Sequence, residues 1–153
     1  MQSNSDFSNK DVLVVGAGIG AAIADGFAHA KAIVMITGKE EEPIESYRGR
    51  YKYYQIDVAD EAGVKRLAEE IPELDVLINC AGMANREIEW SNEGFKRGID
   101  VNLVGMLNPA NAFKPHLTRS KRGGGRNCVD VYVYGLPPHS GIRSQQGPGD
   151  GGT

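Results

Sequence analysis

Hydrophobic positions along this chain follow two patterns: short continuous runs, and runs in which apolar residues recur every three or four positions. A continuous run bounded by Gly or Pro is typical of a strand buried on both faces, and the wider spacing is typical of an amphipathic helix. Enrichment in β-branched and aromatic residues favours the strand interpretation. We therefore predict strands at 11–15, 32–37, 51–58 and 74–79, and a fifth at 127–134.

Helical spacing occupies three of the intervals between these strands. It predicts a helix at 18–30, a second that begins after Asp60 as N-cap and closes at Pro72, and a long third helix at 94–117. The segments 40–47 and 83–92 fit either a loop or a short helix. In the third helix we expect a kink at Pro109, and its apolar positions are Phe95, Ile99, Leu103, Leu107, Ala110 and Phe113.

This alternation of strands and helices predicts an α/β fold. We expect an open, mostly parallel Rossmann-like sheet of about five strands, with helices on both faces and right-handed crossovers. The dinucleotide-binding domain is placed at 11–134, after a loose N-terminus at 1–10. Residues 135–153 hold nine Gly or Pro in 19 positions. We expect this tail to be disordered, because it buries too little apolar surface to offset its chain entropy.

Composition narrows the function classes. The net charge of −3 provides no electrostatic footprint for nucleic acid, and no apolar run reaches the roughly 18 to 20 residues of a membrane span. The polar first ten residues lack the apolar core of a secretory signal. Cys80 and Cys128 are expected to be small buried residues in a reducing, cytoplasmic compartment. His29, His116 and His139 are too dispersed in sequence for a metal site.

A glycine-rich turn follows the first predicted strand and opens the first predicted helix. Gly16 permits a tight turn, and Gly18 lets the backbone approach a pyrophosphate closely. The small residues Gly20 and Ala21 let the helix pack against the strand. The helix N-terminus then presents unpaired N–H groups and the positive end of its dipole to an anion.

Three further features follow the ends of predicted strands. They are Gly38-Lys39, Asp57-Val58 and the turn Asn79-Cys80-Ala81-Gly82. Because the carboxyl ends of parallel strands meet at one edge of a sheet, these segments and the glycine turn are expected to line a nucleotide cleft.

Together with Asp100-Val101-Asn102, these segments resemble the short-chain dehydrogenase/reductase family, over about residues 11–117. The resemblance implies a single Rossmann-type domain with strand order 3-2-1-4-5. It also implies a nicotinamide cofactor and hydride transfer between nicotinamide and a small carbonyl or alcohol substrate. A homo-oligomer is expected for the family, although the helices that usually form its interface are largely absent from this sequence.

The resemblance also implies roles for individual residues. Asp57 and Val58 match the pair that contacts the adenine ring, and Asn102 matches the helix asparagine that orders a proton-relay water near the active site. It is the only catalytic residue that we assign. The other implied cofactor contacts are Gly16, Ala17, Gly18, Ile19 and Gly20 at the pyrophosphate, and Asn79, Ala81 and Gly82 beside the central sheet and the adenosine ribose.

The choice between NAD and NADP depends on the end of the second strand. An acidic residue there binds the ribose hydroxyls of NAD, and a basic residue accommodates the 2′-phosphate of NADP. This chain has Gly38 at the position of the acid and Lys39 next to it. We therefore predict NADP, with NAD as the alternative because Glu40 and Glu41 follow and oppose a phosphate.

Two departures from the family pattern affect the functional prediction. The glycine loop is two residues shorter than the family's Thr-Gly-x-x-x-Gly-x-Gly, although it fits the general Gly-x-Gly-x-x-Ala pattern. No Tyr-x-x-x-Lys pair occurs after residue 117, and the expected catalytic serine near 131–133 is missing. We hypothesise a truncated or frame-shifted reading of a longer gene. The alternatives are a non-catalytic nucleotide-binding or regulatory protein and an inactive fragment.

Overall fold

The structure is a computed structural model that describes residues 6–18, 20–43, 45–83, 90–119 and 128–129. Most of the helices and strands fall close to their predicted positions. In chain order they are β1 (Asp11–Val15), α1 (Gly20–His29), β2 (Ile33–Gly38), a 3₁₀ turn (Glu45–Tyr47), β3 (Lys52–Gln55), α2 (Glu61–Glu70), β4 (Val76–Asn79), α3 (Asn92–Ile99), a π turn (Asp100–Val104), α4 (Gly105–Arg119) and β5 (Cys128–Val129).

The strands form one parallel sheet in the order β3-β2-β1-β4-β5. This order and the α/β class confirm the prediction. The fifth strand is described only at Cys128 and Val129, where it pairs with β4. The rest of the predicted strand at 127–134 lies outside the described residues, as do 1–5 and the predicted tail at 135–153.

Strand β1 is the centre of the fold and is buried on both faces. Val12, Leu13, Val14 and Val15 each have 0% exposed surface. Leu13 and Val15 pack in a core cluster with residues of α2 and α4, while Val12 and Val14 pack with residues of α1. Helices therefore cover both faces of the sheet, as predicted from the continuous apolar run.

The third strand is shorter than predicted and ends at Gln55 instead of residue 58. After one more bond, from the Ile56 N–H to the Gly38 carbonyl (2.8 Å), the chain turns. The Asp57 carboxylate accepts a hydrogen bond from the Ala59 N–H at 3.0 Å, and the Asp57 carbonyl accepts one from the Asp60 N–H at 2.9 Å. A short polar side chain that bonds its own backbone competes with the sheet ladder, and here it ends the strand.

The predicted N-cap of the second helix occupies its predicted position, but its side chain makes no capping hydrogen bond. The Asp60 carboxylate lies 3.7 Å from the guanidinium of Arg66 instead. The helix N-terminus is therefore not stabilised by the side-chain bond expected of an N-cap aspartate.

The apolar positions that predicted the long helix do not all face the core. Phe95, Ile99, Leu103 and Leu107 are 65%, 40%, 59% and 57% exposed. A π turn divides the segment into α3 and α4, and Pro109 lies buried inside α4. The buried residues of the π turn and α4 are Val101, Gly105, Asn108, Pro109, Phe113 and Leu117. They include the small Gly105 and the polar Asn108, and also Phe113, which belongs to the predicted apolar set and is 0% exposed. Small residues let the helix backbone approach the sheet closely, so the large aliphatic residues are left on the solvent side.

Within the described residues, no helix is long and apolar enough to cross a membrane, and no group of His, Cys, Asp or Glu has the arrangement of a metal site. Cys80 is a free thiol and half-buried, whereas the side chain of Cys128 lies outside the described residues.

Substitutions of a buried and an exposed leucine test which apolar residues form the core. Leu13→Ala removes a fully buried side chain and should lower the free energy of unfolding by about 2–5 kcal/mol. Leu103→Ala removes an exposed side chain and should change it by less than about 0.5 kcal/mol. Urea denaturation of both variants measures the difference. Equal losses would contradict the observed orientation of the helix.

Candidate cofactor site

The carboxyl ends of the parallel strands meet at a cleft of about 600 Å³. The cleft spans the ends of β1 and its neighbours and includes the point between β1 and β4 where the strand order reverses, which is the usual ligand position in an open α/β sheet. Most of the predicted cofactor residues line it together, namely Gly16, Ala17, Gly18, Lys39, Asp57, Val58, Ala81 and Gly82.

The turn after β1 is held tightly between its two neighbours in the sheet. The Gly16 N–H donates to the Thr37 carbonyl at 3.2 Å, and the Cys80 N–H donates to the Val15 carbonyl at 2.7 Å. Gly16 has φ +101°, and a Cβ there would lie 2.6 Å from the Ala81 nitrogen. Glycine is therefore required at this position both for its backbone conformation and for the close approach of the two loops.

The other two glycines of the turn have different surroundings. Apart from its chain neighbours, no described residue has a heavy atom within 4 Å of a Cβ placed on Gly18, and this glycine lines the cleft. A Cβ on Gly20 would lie 2.7 Å from the Val14 side chain, and this glycine lets α1 pack directly on β1. Ile19, which is also predicted to contact the pyrophosphate, lies outside the described residues.

Two buried polar atoms at the strand ends lack a hydrogen-bond partner among the described residues. They are the Thr37 hydroxyl and the Asn79 side-chain oxygen. Thr37 is 0% exposed and lines the cleft. The Asn79 side-chain nitrogen donates to the Met106 carbonyl at 3.2 Å. A buried polar atom without a partner is costly. The Thr37 hydroxyl, the open backbone at Gly18 and the N-terminus of α1 fit a polar, anionic ligand.

Asp57 forms an ion pair across the cleft that was not predicted. Its carboxylate lies 2.6 Å from the Arg97 guanidinium on α3, and both side chains are about one-third exposed. Partial burial raises the pKa of Asp57, but hydrogen bonds from Arg97 and the Ala59 N–H, together with the charges of Arg97 and Lys39, outweigh it and lower the pKa below its usual value. Asp57 therefore remains ionised and attached to α3.

Asn102 lies in the π turn and holds the loop that follows β4. Its side-chain oxygen accepts a hydrogen bond from the Met83 N–H at 2.7 Å, and its side-chain nitrogen donates to the Met83 carbonyl at 3.0 Å. The side chain thus binds both backbone groups of one residue. π turns are frequent at functional sites because they displace the backbone from regular helical bonding.

Helix α4 is fixed to the loop after β3 by two contacts. The Asn108 side chain donates to the Val58 carbonyl at 2.8 Å. A Cβ on Gly105 would lie 2.5 Å from the Val58 side chain, so the helix touches this loop through a glycine. These contacts orient Val58 at the cleft.

The sequence pattern did not predict four residues in or beside the site: Thr37, Tyr53, Arg97 and Asn108. Each is brought to the site by pairing or packing between segments distant in sequence. Arg97 pairs with a residue 40 positions away, and Asn108 with one 50 positions away. The only available signal was the polar Thr37 at the end of an apolar strand.

Comparison with known proteins identifies the family. The family model described as short chain dehydrogenase matches residues 10–126. This chain belongs to the short-chain dehydrogenase family. Meso-2,3-butanediol dehydrogenase of Serratia marcescens is 31% identical over 128 residues, which are 75% of this chain and 51% of that protein. The chain spans about half the length of such curated relatives of this dehydrogenase family.

Solved structures of other proteins share the fold. The Pseudomonas aeruginosa RhlG/NADP active-site complex matches with a TM-score of 0.70 and 28% identity, over 84% of this chain and 56% of that one. A short chain dehydrogenase from Leptospira borgpetersenii serovar Hardjo-bovis with bound NAD⁺ matches with a TM-score of 0.64 and 25% identity, over 76% of this chain and 50% of that one.

The ion pair between Asp57 and Arg97 makes a testable contribution to stability. The folded-state pKa of Asp57 lies below its unfolded value of about 3.9. The pair therefore stabilises the fold above that pH and loses its contribution as the pH falls through the folded-state value. A double-mutant cycle with Asp57→Asn and Arg97→Gln should give a coupling of up to about 1 kcal/mol at pH 7, since solvent screens the pair, and progressively less as the pH is lowered below about 3.9.

The more exposed pair of Asp60 and Arg66, 3.7 Å apart, is the matched control. Its cycle, with Asp60→Asn and Arg66→Gln, should give a smaller coupling. Equal couplings in the two cycles, or a coupling that does not decrease with acid, would contradict the assignment.

Proposed function

We propose that this chain binds a nicotinamide dinucleotide in the cleft, as the cofactor-binding part of an NAD(P)-dependent oxidoreductase. The observation that carries the proposal is the open backbone of Gly18 beside the N-terminus of α1, at the cleft where the sheet order reverses. Relatives solved with NADP and with NAD⁺ support it. The cofactor, when bound, would supply a hydride to a carbonyl substrate in its reduced form or accept one from an alcohol in its oxidised form.

We assign different parts of the dinucleotide to different residues of the cleft. We assign the pyrophosphate to the turn at 16–18 and to the N–H groups that open α1. Asp57 and Val58 are assigned to the adenine, and Ala81 and Gly82 to the adjoining ribose and the wall of the cleft. Asn102 is assigned to order a proton-relay water. Its bonds with Met83 leave one N–H and one lone pair for this purpose.

The charges at the end of β2 favour NADP over NAD. Lys39 is exposed and lines the cleft, where its ammonium group can meet a 2′-phosphate. Of the nearby acids, Glu42 is paired with Arg48, which reduces its repulsion of a phosphate. Glu41 does not line the cleft in the described structure, whereas Glu40 does, and NAD therefore stays the alternative cofactor.

A non-catalytic nucleotide-binding protein is the second candidate function. The two candidates differ in the need for a catalytic tyrosine, and no tyrosine in residues 1–153 is followed four positions later by lysine. A tyrosine with a nearby lysine is the general acid/base pair that the family resemblance implies. Both candidates require cofactor binding, and they differ in turnover. Oxidation of NADPH by this chain with any carbonyl compound would favour the enzyme, and saturable binding without turnover would favour the second candidate.

Fluorescence titration with NADPH tests the binding site. The chain should bind NADPH saturably, and Gly18→Ala should weaken binding about tenfold or more, since the new methyl group occupies the space assigned to the pyrophosphate. Gly26→Ala is the matched control, because Gly26 is exposed on α1, does not line the cleft, and a Cβ there also meets no atom of the described residues within 4 Å. Equal affinities for the two variants, or no binding by the unsubstituted chain, would overturn the proposal.

The cofactor preference has its own test. Lys39→Ala should lower NADPH affinity about tenfold and leave NADH affinity within about twofold, because the lost bond is a charge-assisted one to the 2′-phosphate. Lys65→Ala is the control, since Lys65 pairs with Glu61 on α2 and does not line the cleft. Comparable affinities for NADPH and NADH that Lys39→Ala does not change would exclude the NADP assignment.

A further inference from the structure

The end of β2 lacks the side chain that selects NAD, and a residue of the neighbouring strand fills the space. β2 and β3 pair in parallel with Ile36 opposite Tyr53 and Gly38 opposite Gln55. Alternate residues of a strand share a face, so Tyr53 and Gly38 are diagonal neighbours on one side of the sheet, within reach of an aromatic side chain.

The ring of Tyr53 occupies the position into which a side chain at residue 38 would extend. A Cβ on Gly38 would lie 2.6 Å from the Tyr53 hydroxyl oxygen and 3.2 Å from the nearest ring carbon. Real Cβ atoms essentially never approach a heavy atom within 3.0 Å. A carboxylate on residue 38 therefore requires Tyr53 to move.

Tyr53 is not free to move without cost, because its hydroxyl is tied to the turn after β2. It donates a hydrogen bond to the Glu40 carbonyl at 2.6 Å. Burial and the nearby Glu40 charge raise the pKa of Tyr53, so the phenol keeps its proton and remains a donor at neutral pH. Gln55, two residues further along β3, donates to the Lys39 carbonyl at 3.1 Å.

These bonds hold consecutive carbonyls of the turn against β3. With the carbonyls of Lys39 and Glu40 bound to β3, the backbone on either side of the Lys39 side chain is fixed at the rim of the cleft. Tyr53 itself lines that cleft with Gly38 and Lys39.

We propose that Tyr53 is a specificity-determining residue: its ring excludes the carboxylate that would select NAD, and its hydroxyl holds the turn that presents Lys39 to a 2′-phosphate. This inference rests on the proposed function. It adds a residue of β3, whereas the position that selects between NAD and NADP lies at the end of β2.

The steric role of Tyr53 is tested by placing an aspartate at residue 38, once with Tyr53 present and once with Tyr53 replaced by valine. NADH and NADPH affinities are measured by fluorescence titration for Gly38→Asp and for Gly38→Asp combined with Tyr53→Val. The single variant should shift the preference toward NADH by less than about threefold, because Tyr53 obstructs the new side chain. The double variant should shift it by at least about tenfold more. A full shift in the single variant would overturn the steric role.

The hydrogen-bonding part is tested with Tyr53→Phe, which keeps the ring and the packing of β3. Loss of one bond should lower the preference for NADPH over NADH about threefold to tenfold. In the ligand-free chain, amide hydrogen exchange at residues 39–42 should become faster. Tyr54→Phe is the matched control, because Tyr54 packs against the opposite core cluster and does not line the cleft. No change in either measurement for Tyr53→Phe, or equal changes for Tyr54→Phe, would overturn the positioning role.

Failure to bind either cofactor and insensitivity to the Tyr53 variants have different consequences. If the unsubstituted chain binds neither NADPH nor NADH, the proposed function is wrong and the role of Tyr53 falls with it. If the chain binds and its preference is insensitive to both sets of Tyr53 variants, the cleft remains a dinucleotide site and only the role of Tyr53 is rejected. Thermal unfolding of each variant verifies that the fold is retained.

Discussion

The close approach of Gly16 to the loop after β4 is the constraint on which the cleft depends. With φ +101° and 2.6 Å between an ideal Cβ and the Ala81 nitrogen, this position admits glycine and no larger residue without displacing backbone. The turn from β1 toward α1 and the turn after β4 are thereby held in contact. Hydrogen bonds from Gly16 to β2 and from Cys80 to β1 secure the same junction.

The opposite side of the cleft is held by a helical segment that contacts the strand ends through small and polar residues. Asn102 binds the backbone of Met83, Asn108 binds the Val58 carbonyl, and Arg97 binds the Asp57 carboxylate. Hydrogen bonds of this kind fix one position of the helical segment against the strand ends, because a polar group that leaves solvent needs a partner. It also explains why the large apolar residues of α3 and of the π turn face outward.

The sequence pattern predicted the sheet and the position of the cleft because both follow from local properties. The run of Val12 to Val15 is too apolar for any position but the centre of a doubly covered sheet. Glycine and polar residues at four successive strand ends then mark one edge. The helix at 94–117 was interpreted less well, because hydrophobic periodicity weighs large side chains and overlooks a small residue such as Gly105 that makes the closest contact. The Asp57 side chain likewise ended β3 by bonding its own backbone.

What the sequence alone determined is the α/β class, the strand order expected of the family, and the set of glycines and polar residues at the strand ends. Hydrophobic runs and turn residues encode these features within a few positions of one another. Only the tertiary structure decided which groups pair across the cleft, such as Asp57 with Arg97 and Tyr53 with Gly38 and Glu40. These contacts join strands and helices whose relative positions depend on packing, and a separation along the chain carries no information about a distance of a few ångströms in space.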